Sequence, residues 1–249
     1  MKPKLSGRRI FIAQDQILGP KVIFSSDNVR RLKDVLHLKP GDQIAVLDGA
    51  RRYEVLLEKD RNNELIGEII NSYTETADFP LTVELAFGCV RPGPTEEIIR
   101  HCTELGVASF SPLLLEYSNR RPVKTRLRWL NVASSACAQS NRVIMPQINQ
   151  PVGIDTFLDR LLPDSCRIYL SPEGGSSPLE RVLETNAQDR LTLLIGSEGG
   201  LAVREESLLV RSGFLSASLG PTILRTETAA IVSVGIAMSW GLIRRQTRV

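Results

Sequence analysis

From Leu81 onward the chain alternates short apolar segments with stretches of helical spacing, and this alternation constrains the fold more than any other feature of the sequence. Alternating strands and helices make an α/β domain with a mostly parallel sheet, because parallel neighbours need a crossover long enough to hold a helix. LTVELAFG, ASFSPLLL, RIYLS, RLTLLIG and FLSASLG read as the strands. After the first, Thr95 can cap a helix with Glu96 and Glu97 in its first turn. Ile98, Cys102 and Leu105 then fall at i, i+4 and i+7, and Gly106 supplies the stop. A helix from about Lys124 to Ser140 puts Trp129, Val132, Ala133 and Ala136 on one stripe, and Val203 to Arg211 forms another. The closing TETAAIVSVGIAMSWGLI is apolar nearly all round, which suits a helix buried on most faces.

The first 75 residues differ. RRIFIA, KVIF, QIAVLDG, RRYEVLLEK and ELIGEIINSY read as short strands separated by turns such as Lys39-Pro40-Gly41-Asp42, which predicts a small β-barrel. One helix interrupts them, Ser26 to Leu38, with Ser26 or Asp27 as its cap. Thr74 to Pro80 loses periodicity and makes a linker, so residues 1–75 and 76–249 form a small and a medium domain. An apolar fraction of 42% and a charged fraction of 24% are enough to bury a core in each.

Several function classes fall away on composition. Cys89, Cys102, Cys137 and Cys166 show no C-x-x-C spacing, and with only His37 and His101 beside them no zinc set can be assembled, so no metal is expected. They read as reduced thiols of a cytosolic protein. The N-terminus has no apolar stretch of signal-peptide type, and Ala229 to Ile243 is too short and too rich in Ser and Gly to span a bilayer. A net charge of +3 is weak evidence for nucleic acid, but its distribution is uneven. Arg8, Arg9, Lys21, Arg30, Arg31, Lys33, Lys39, Arg51 and Arg52 crowd the first 52 residues, and Arg120, Arg121, Lys124, Arg126 and Arg128 form a second stretch. Either a solvated face or an RNA-binding face accounts for such clusters.

The sharpest local feature is LTLLIGSEGG, an apolar strand that runs into Gly196, Glu198, Gly199 and Gly200. Glycines there let the backbone turn tightly and approach a ligand at the carboxyl end of a strand, where α/β sheets bind ligands. A strand–helix turn without any ligand is the plainer alternative. A second turn of the same kind, SLGPTILRTETAA, follows FLSASLG, and two such turns at adjacent strand ends could form one pocket. Neither G-x-G-x-x-G nor G-x-x-x-x-G-K-[ST] occurs, which argues against a phosphate cradle.

GSEGGLAVREE and LGPTILRTETAA resemble the two signature segments of the bacterial ribosomal RNA small subunit methyltransferase E family, members of the SPOUT superfamily of knotted methyltransferases. HCTELGVASFSPLLLEYS, RWLNVASSACAQSNRVIMPQI and VRRLKDVLHLKPGDQIAVLDG resemble three further family segments, so the likeness covers almost the whole chain in order. It implies a deep trefoil knot in the C-terminal domain, a PUA-like RNA-binding barrel before it, and a homodimer with the active site near the subunit interface. It also implies S-adenosylmethionine as methyl donor and N3 of a 16S ribosomal RNA uridine as acceptor, position 1498 in the customary numbering. There are departures. Ser197 stands for the family proline, Thr222 for the arginine of L-G-P-R, His101 for the lysine of K-A-T-E-L-G and Tyr117 for the arginine of S-E-R-S. Val143 and Ile144 replace the Asn-Arg after Arg142, and Arg31 and His37 replace a His and an Arg in the barrel.

By the same resemblance, Leu170, Ile195, Gly196, Glu198, Gly199, Gly200, Leu219, Gly220 and Leu224 would bind the donor. Arg225 would stabilise the charge that spreads onto the uracil oxygens, with Thr226 and Glu227 orienting it, unless it merely pairs with Glu227 or Glu198. Glu198 would either face the sulfonium or serve the N-terminus of the following helix, the latter being preferred. His101 is a tempting base, but a helical position favours a surface or interface histidine. Arg9, Arg31, Lys33, Lys39 and Arg142 would bind RNA. Two other functions stay open: a divergent SPOUT methyltransferase acting on another nucleotide, and a non-catalytic RNA-binding assembly factor of the same fold.

Overall fold

The computed structural model of the protein describes residues 8–74, 79–118, 126–171, 176–186 and 188–247. The chain divides into two units, Met1–Ala77 with Ser134–Met145, and Asp78–Ala133 with Pro146–Val249. Residues 75–78 of the expected linker lie outside the described residues, as do Arg120, Arg121 and Lys124 of the second basic stretch.

The first unit is a six-stranded mixed sheet. Its strands are β1 (Arg9–Phe11), β2 (Ile17–Leu18), β3 (Lys21–Ile23), β4 (Gln43–Leu47), β5 (Arg51–Lys59) and β6 (Leu65–Thr74), in the order β1-β4-β5-β6-β3-β2. Only β1 and β4 run parallel among these pairs. Ile10 of β1 and Val22 of β3 stand near opposite edges of the sheet, yet both enter one core with Ile44, Val46, Val55 and Leu57. The sheet must therefore curl, as a small barrel does. Helix α1 (Ser26–Arg30) continues as a wider turn over Arg31–Val35, in which Leu36 N–H donates to the Arg31 carbonyl, five residues back. Its cap is Ser25, whose hydroxyl accepts from Asn28 N–H, rather than the expected Ser26 or Asp27.

The second unit holds β7 (Thr82–Gly88), α2 (Pro92–Leu105), β8 (Ser109–Leu113), α3 (Arg126–Ser140), whose last part counts with the first unit, β9 (Gln147–Ile148) and α4 (Ile154–Leu158). It continues with β10 (Cys166–Leu170), β11 (Ser177–Pro178), α5 (Leu179–Asn186), β12 (Arg190–Ile195), α6 (Val203–Arg211), β13 (Leu215–Ser218) and α7 (Thr226–Thr247). Helix α2 starts about one turn earlier than the sequence suggests: Arg91 is the cap and Pro92 takes the first helical position, where its missing N–H costs nothing. Thr95 lies inside the helix, and its hydroxyl donates to the carbonyls of Val90 and Arg91. Gly106 ends the helix in the left-handed region, at φ 106°.

The sheet order is β11-β13-β10-β12-β7-β8-β9, and every pairing is parallel. Alternate residues of each central strand serve two different cores. Val83, Leu85 and Phe87 of β7 with Leu191, Leu193 and Ile195 of β12 meet Ile98, Cys102, Leu183, Val234 and Ala237 on the side of α2, α5 and α7. Ala86, Leu194 and Tyr169 face Phe157 of α4 and Leu209 of α6 on the other side. Each large apolar side chain so buried contributes about 1.5–3 kcal/mol relative to exposure.

Helix α7 has 22 residues and, by length and composition alone, is long and apolar enough to cross a membrane, a property that a buried core helix shares. It packs on α2, α5, β7 and β12, with Ala230, Ser233, Val234 and Ala237 fully buried. Arg244 ties its end to Asp189 at 3.3 Å and lies over the Trp240 ring, and Arg245 donates to the Phe79 carbonyl. From β13, on one side of β10, the chain therefore crosses back to a helix seated on β12 and β7, the knot-type α/β arrangement that the resemblance implies.

Candidate active site

Strand β10 stands between β13 and β12, with Tyr169 paired to Ser216 on one side and to Leu194 on the other. All three run parallel, so their carboxyl ends open on the same edge, and the chain goes from β12 on one side of β10 through α6 to β13 on the other. Such a switch in direction leaves a crevice between the outgoing loops. Here the crevice is a cavity of about 330 Å³ lined by the ends of all three strands and by the turns after β12 and β13.

Each turn is latched by a serine. In the first, Gly200 N–H donates to the Ser197 carbonyl at 2.9 Å, and the buried Ser197 hydroxyl donates to the Gly200 carbonyl at 3.2 Å. Serine thus closes by hydrogen bonding a turn that proline in the related segments would stiffen covalently. Gly200 adopts φ +79° and a β-carbon there would meet nothing within 4 Å, so backbone conformation, not crowding, demands glycine. In the second turn Ser218 Oγ accepts from Gly220 N–H at 3.1 Å and lies 3.2 Å from the Gly220 carbonyl, and Gly220 sits at φ +125°.

All nine residues expected to hold the donor line this cavity: Leu170, Ile195, Gly196, Glu198, Gly199, Gly200, Leu219, Gly220 and Leu224. Thr226, 5% exposed, lines it as well. The sequence reading did not single out Ser171, Leu201, Glu206, Ser218, Ile223 or Ala229, which complete the wall together with Ser197 and Thr222. Ser218 and Ile223 adjoin predicted residues and could have been found by proximity. Glu206 gave no signal, since nothing in a helix's sequence says which carboxylate faces a strand end.

Among the described residues, two carboxylates, Glu198 and Glu206, and no lysine or arginine stand in the cavity wall. Glu198 does not take the preferred of its two expected roles, service to the helix start, although it lines the cavity. Its Oε1 accepts from Arg91 Nε at 3.2 Å, while the start of α6 is served by Glu205. Glu205 is 4% exposed and accepts from Ala202 N–H at 2.9 Å and from Glu116 N–H at 2.8 Å, fixing the helix start to the segment after β8. Arg225 and Glu227 are not in the wall. The Arg225 side chain is 86% exposed and reaches Glu227 only at 4.0 Å, so it is not fixed within the chain as expected. His101 pairs with Glu104 at 3.5 Å on α2 and is not part of the wall.

The residues expected to bind RNA belong to the first unit. Lys33 and Lys39 are exposed and Arg31 is half-buried. Arg9 donates to the carbonyls of Ala138 and Gln139 at the end of α3. Arg142 is 7% exposed and its Nε donates to the Ile144 carbonyl at 2.7 Å, and burial lowers its pKa from the ordinary value. In the second basic stretch Arg128 pairs with Glu96 at 2.6 Å. All four cysteines are free thiols, and burial pushes Cys89 and Cys137 up to about 11, so both are protonated and unreactive at neutral pH. Among the described residues no group of three His, Cys, Asp or Glu could hold a metal ion.

Comparison with known proteins gives this geometry a setting. Residues 77–238 match the family model described as an RNA methyltransferase domain. The chain is 31% identical to the ribosomal RNA small subunit methyltransferase E of a Synechocystis species over 232 residues, covering 91% of this chain and 75% of that one. It is 28% identical to the protein of the same name from Bacillus subtilis, covering 87% and 89%. The crystal structure of the Neisseria gonorrhoeae ribosomal RNA small subunit methyltransferase E bound to S-adenosylmethionine matches with a TM-score of 0.82 at 25% identity, covering 93% of this chain and 97% of that one.

Glu205 joins α6 to the segment after β8 through two hydrogen bonds to a buried carboxylate. Removing it in Glu205→Ala leaves two donors without that partner, and should lower the unfolding free energy by about 3 kcal/mol, at roughly 1.5 kcal/mol or more per bond to a charged group. Denaturant titration with an unchanged m value checks this.

Proposed function

Because this chain belongs to the ribosomal RNA small subunit methyltransferase E family, we propose that it transfers the methyl group of S-adenosylmethionine to N3 of a uridine in 16S ribosomal RNA. The observation that carries this reading is the cavity between the two serine-latched turns. Leu170, Ile195, Leu219 and Leu224 give it apolar walls for a purine, and the open space beside Gly200 and Gly220 lets peptide groups come within hydrogen-bonding distance of a ligand. Glu198 and Glu206, with no cation among the described residues of the wall, favour a positively charged ligand such as a sulfonium.

The reaction needs little covalent help. The uracil N3 proton passes to solvent water, the N3 lone pair attacks the methyl carbon, and the carbon–sulfur bond breaks with its electrons going to sulfur. Negative charge appears on the two uracil oxygens as the proton departs. Arg225, beside the buried Thr226 at the rim, is able to swing onto one of them, and Glu227, whose side chain is only 13% exposed, gives its guanidinium a fixed neighbour. Lys33, Lys39 and Arg31 supply backbone affinity for RNA, whereas Arg9 and Arg142, bound to carbonyls, shape the unit that carries them.

A second copy of the chain covers the outer face of α7, where Val232, Leu242 and Ile243 are 38%, 53% and 60% exposed and Ile236 is half-buried. An enzyme acting on the small subunit works in the cytoplasm. Sedimentation at micromolar concentration should show a dimer, and Leu242→Glu with Ile243→Glu should give a monomer.

Nucleosides of ribosomal RNA from a strain lacking the gene test the function. Loss of 3-methyluridine is expected. Loss of a different methylated nucleoside would redirect the enzyme to another target, consistent with Thr222 at the cavity rim, and an unchanged profile would leave only an assembly role.

Two substitutions probe the parts. Gly200→Val forces a β-branched side chain to φ +79° and into the cavity mouth, so donor binding by calorimetry should weaken at least about tenfold. Arg225→Ala should slow single-turnover methylation by about 100- to 1,000-fold at saturating donor and RNA, with donor affinity and melting temperature unchanged.

A further inference from the structure

Uracil N3 lies between two carbonyl groups, so the charge left by its proton falls on oxygens to either side of the attacking atom. A guanidinium at one oxygen leaves the other without a cation. The cavity wall offers none among the described residues, of which Glu198 and Glu206 are the charged ones.

A second cation nevertheless reaches this edge. β7 lies beside β12, with Phe87 paired to Ile195, so the segment after Gly88 and the turn after Ile195 leave the sheet side by side. Arg91, at the start of α2, comes from the first and Glu198 from the second, and they meet at 3.2 Å across 107 residues of chain. Their side chains are 69% and 48% exposed, and an ion pair so open to water adds little to stability. The contact uses Arg91 Nε, so this pair does not engage the two terminal amino groups. Arg91 is thus an exposed cation tied through Nε to a carboxylate that is itself part of the donor cavity.

We propose that Arg91 is a second catalytic cation, positioned by Glu198 to meet the uracil oxygen opposite the one met by Arg225. The inference rests on the reading of the reaction as N3 methylation of uridine. Among the described residues the charged groups beside Arg91 at this edge are Glu198 from the turn after β12, Glu206 from α6, and Arg225 with its neighbour Glu227 at the start of α7. The titrating group is the uracil N3 itself. A cation beside its anion lowers the pKa of bound uracil, and removing that cation raises it.

Single-turnover rates measured from pH 6 to pH 10, with saturating S-adenosylmethionine and unmethylated small subunits, test this for the native enzyme, Arg91→Ala, Arg91→Lys and Glu198→Gln. Arg91→Ala should be slower by about 100-fold at neutral pH, the typical effect of losing one charge-stabilising donor. Its rising limb should move to higher pH by about one unit or more, and donor affinity and melting temperature should stay at native values. Arg91→Lys should recover part of the rate, and Glu198→Gln should move the limb in the same direction by less. A native rate for Arg91→Ala, a slowed rate with the limb unmoved, or a loss confined to donor affinity would each overturn the proposal. Product analysis in the same reactions separates the two levels. If the native enzyme makes 3-methyluridine and the limb does not move, only the role of Arg91 fails, whereas a different product from the native enzyme removes the reading beneath it.

Discussion

The parallel pairing of β10 with β12 on one side and β13 on the other is the constraint from which the site follows. Three strands of one direction bring three loops to one edge, and the reversal of strand order at β10 keeps two of them apart so that a cavity stays open between them. The same pairing sets the register. With Leu170 beside Ala217 and Tyr169 beside Leu194, the glycine-bearing turns emerge at similar heights on either side of β10. The sheet can hold this arrangement because it is covered twice, by α2, α5 and α7 on one face and by α4 and α6 on the other. A slip of one residue in any central strand would exchange two apolar cores, which makes the register costly to change.

Within that frame the polar groups divide into those that hold shape and those at the rim. Ser197, Ser218 and Glu205 close turns and a helix start, through hydrogen bonds that are buried or half-buried at Glu205 and Ser197 and exposed at Ser218. Arg91 and Arg225 are extended into solvent, one against Glu198 at 3.2 Å and one loosely near Glu227 at 4.0 Å. An acidic cavity with cations only at its edge separates two electrostatic tasks. The wall favours a positive ligand, and the rim favours negative charge that arises where a second ligand meets the first.

Much of this was legible in the sequence where burial is strongest. The strands covered on both faces read as apolar runs, and the glycine turns could be assigned because a strand that ends in Gly-rich sequence must turn sharply. The two-residue strands β2, β9 and β11 and the short helices α4 and α5 escaped, since pieces of that length repeat a pattern too few times for it to stand out. Caps were misplaced for a related reason. Thr95 and Ser26 have capping side chains, but Pro92 fixes the start of α2 and Ser25 precedes Ser26 by one residue. What no local pattern could reveal is contact across the sheet. The Arg91–Glu198 pair, the facing of Glu206 into the cavity, and the use of Arg9 and Arg142 on backbone carbonyls all depend on which strands and helices become neighbours.

The central claim is that the turns after β12 and β13 form one pocket for the methyl donor. Amide NMR of the isotope-labelled protein during titration with S-adenosylmethionine tests it most directly, because each turn reports separately. The account predicts that the amides of Gly196, Gly199 and Gly200 and those of Leu219, Gly220 and Leu224 shift together and saturate at one dissociation constant. Shifts confined to one turn, or centred elsewhere while both turns stay unchanged, would contradict it.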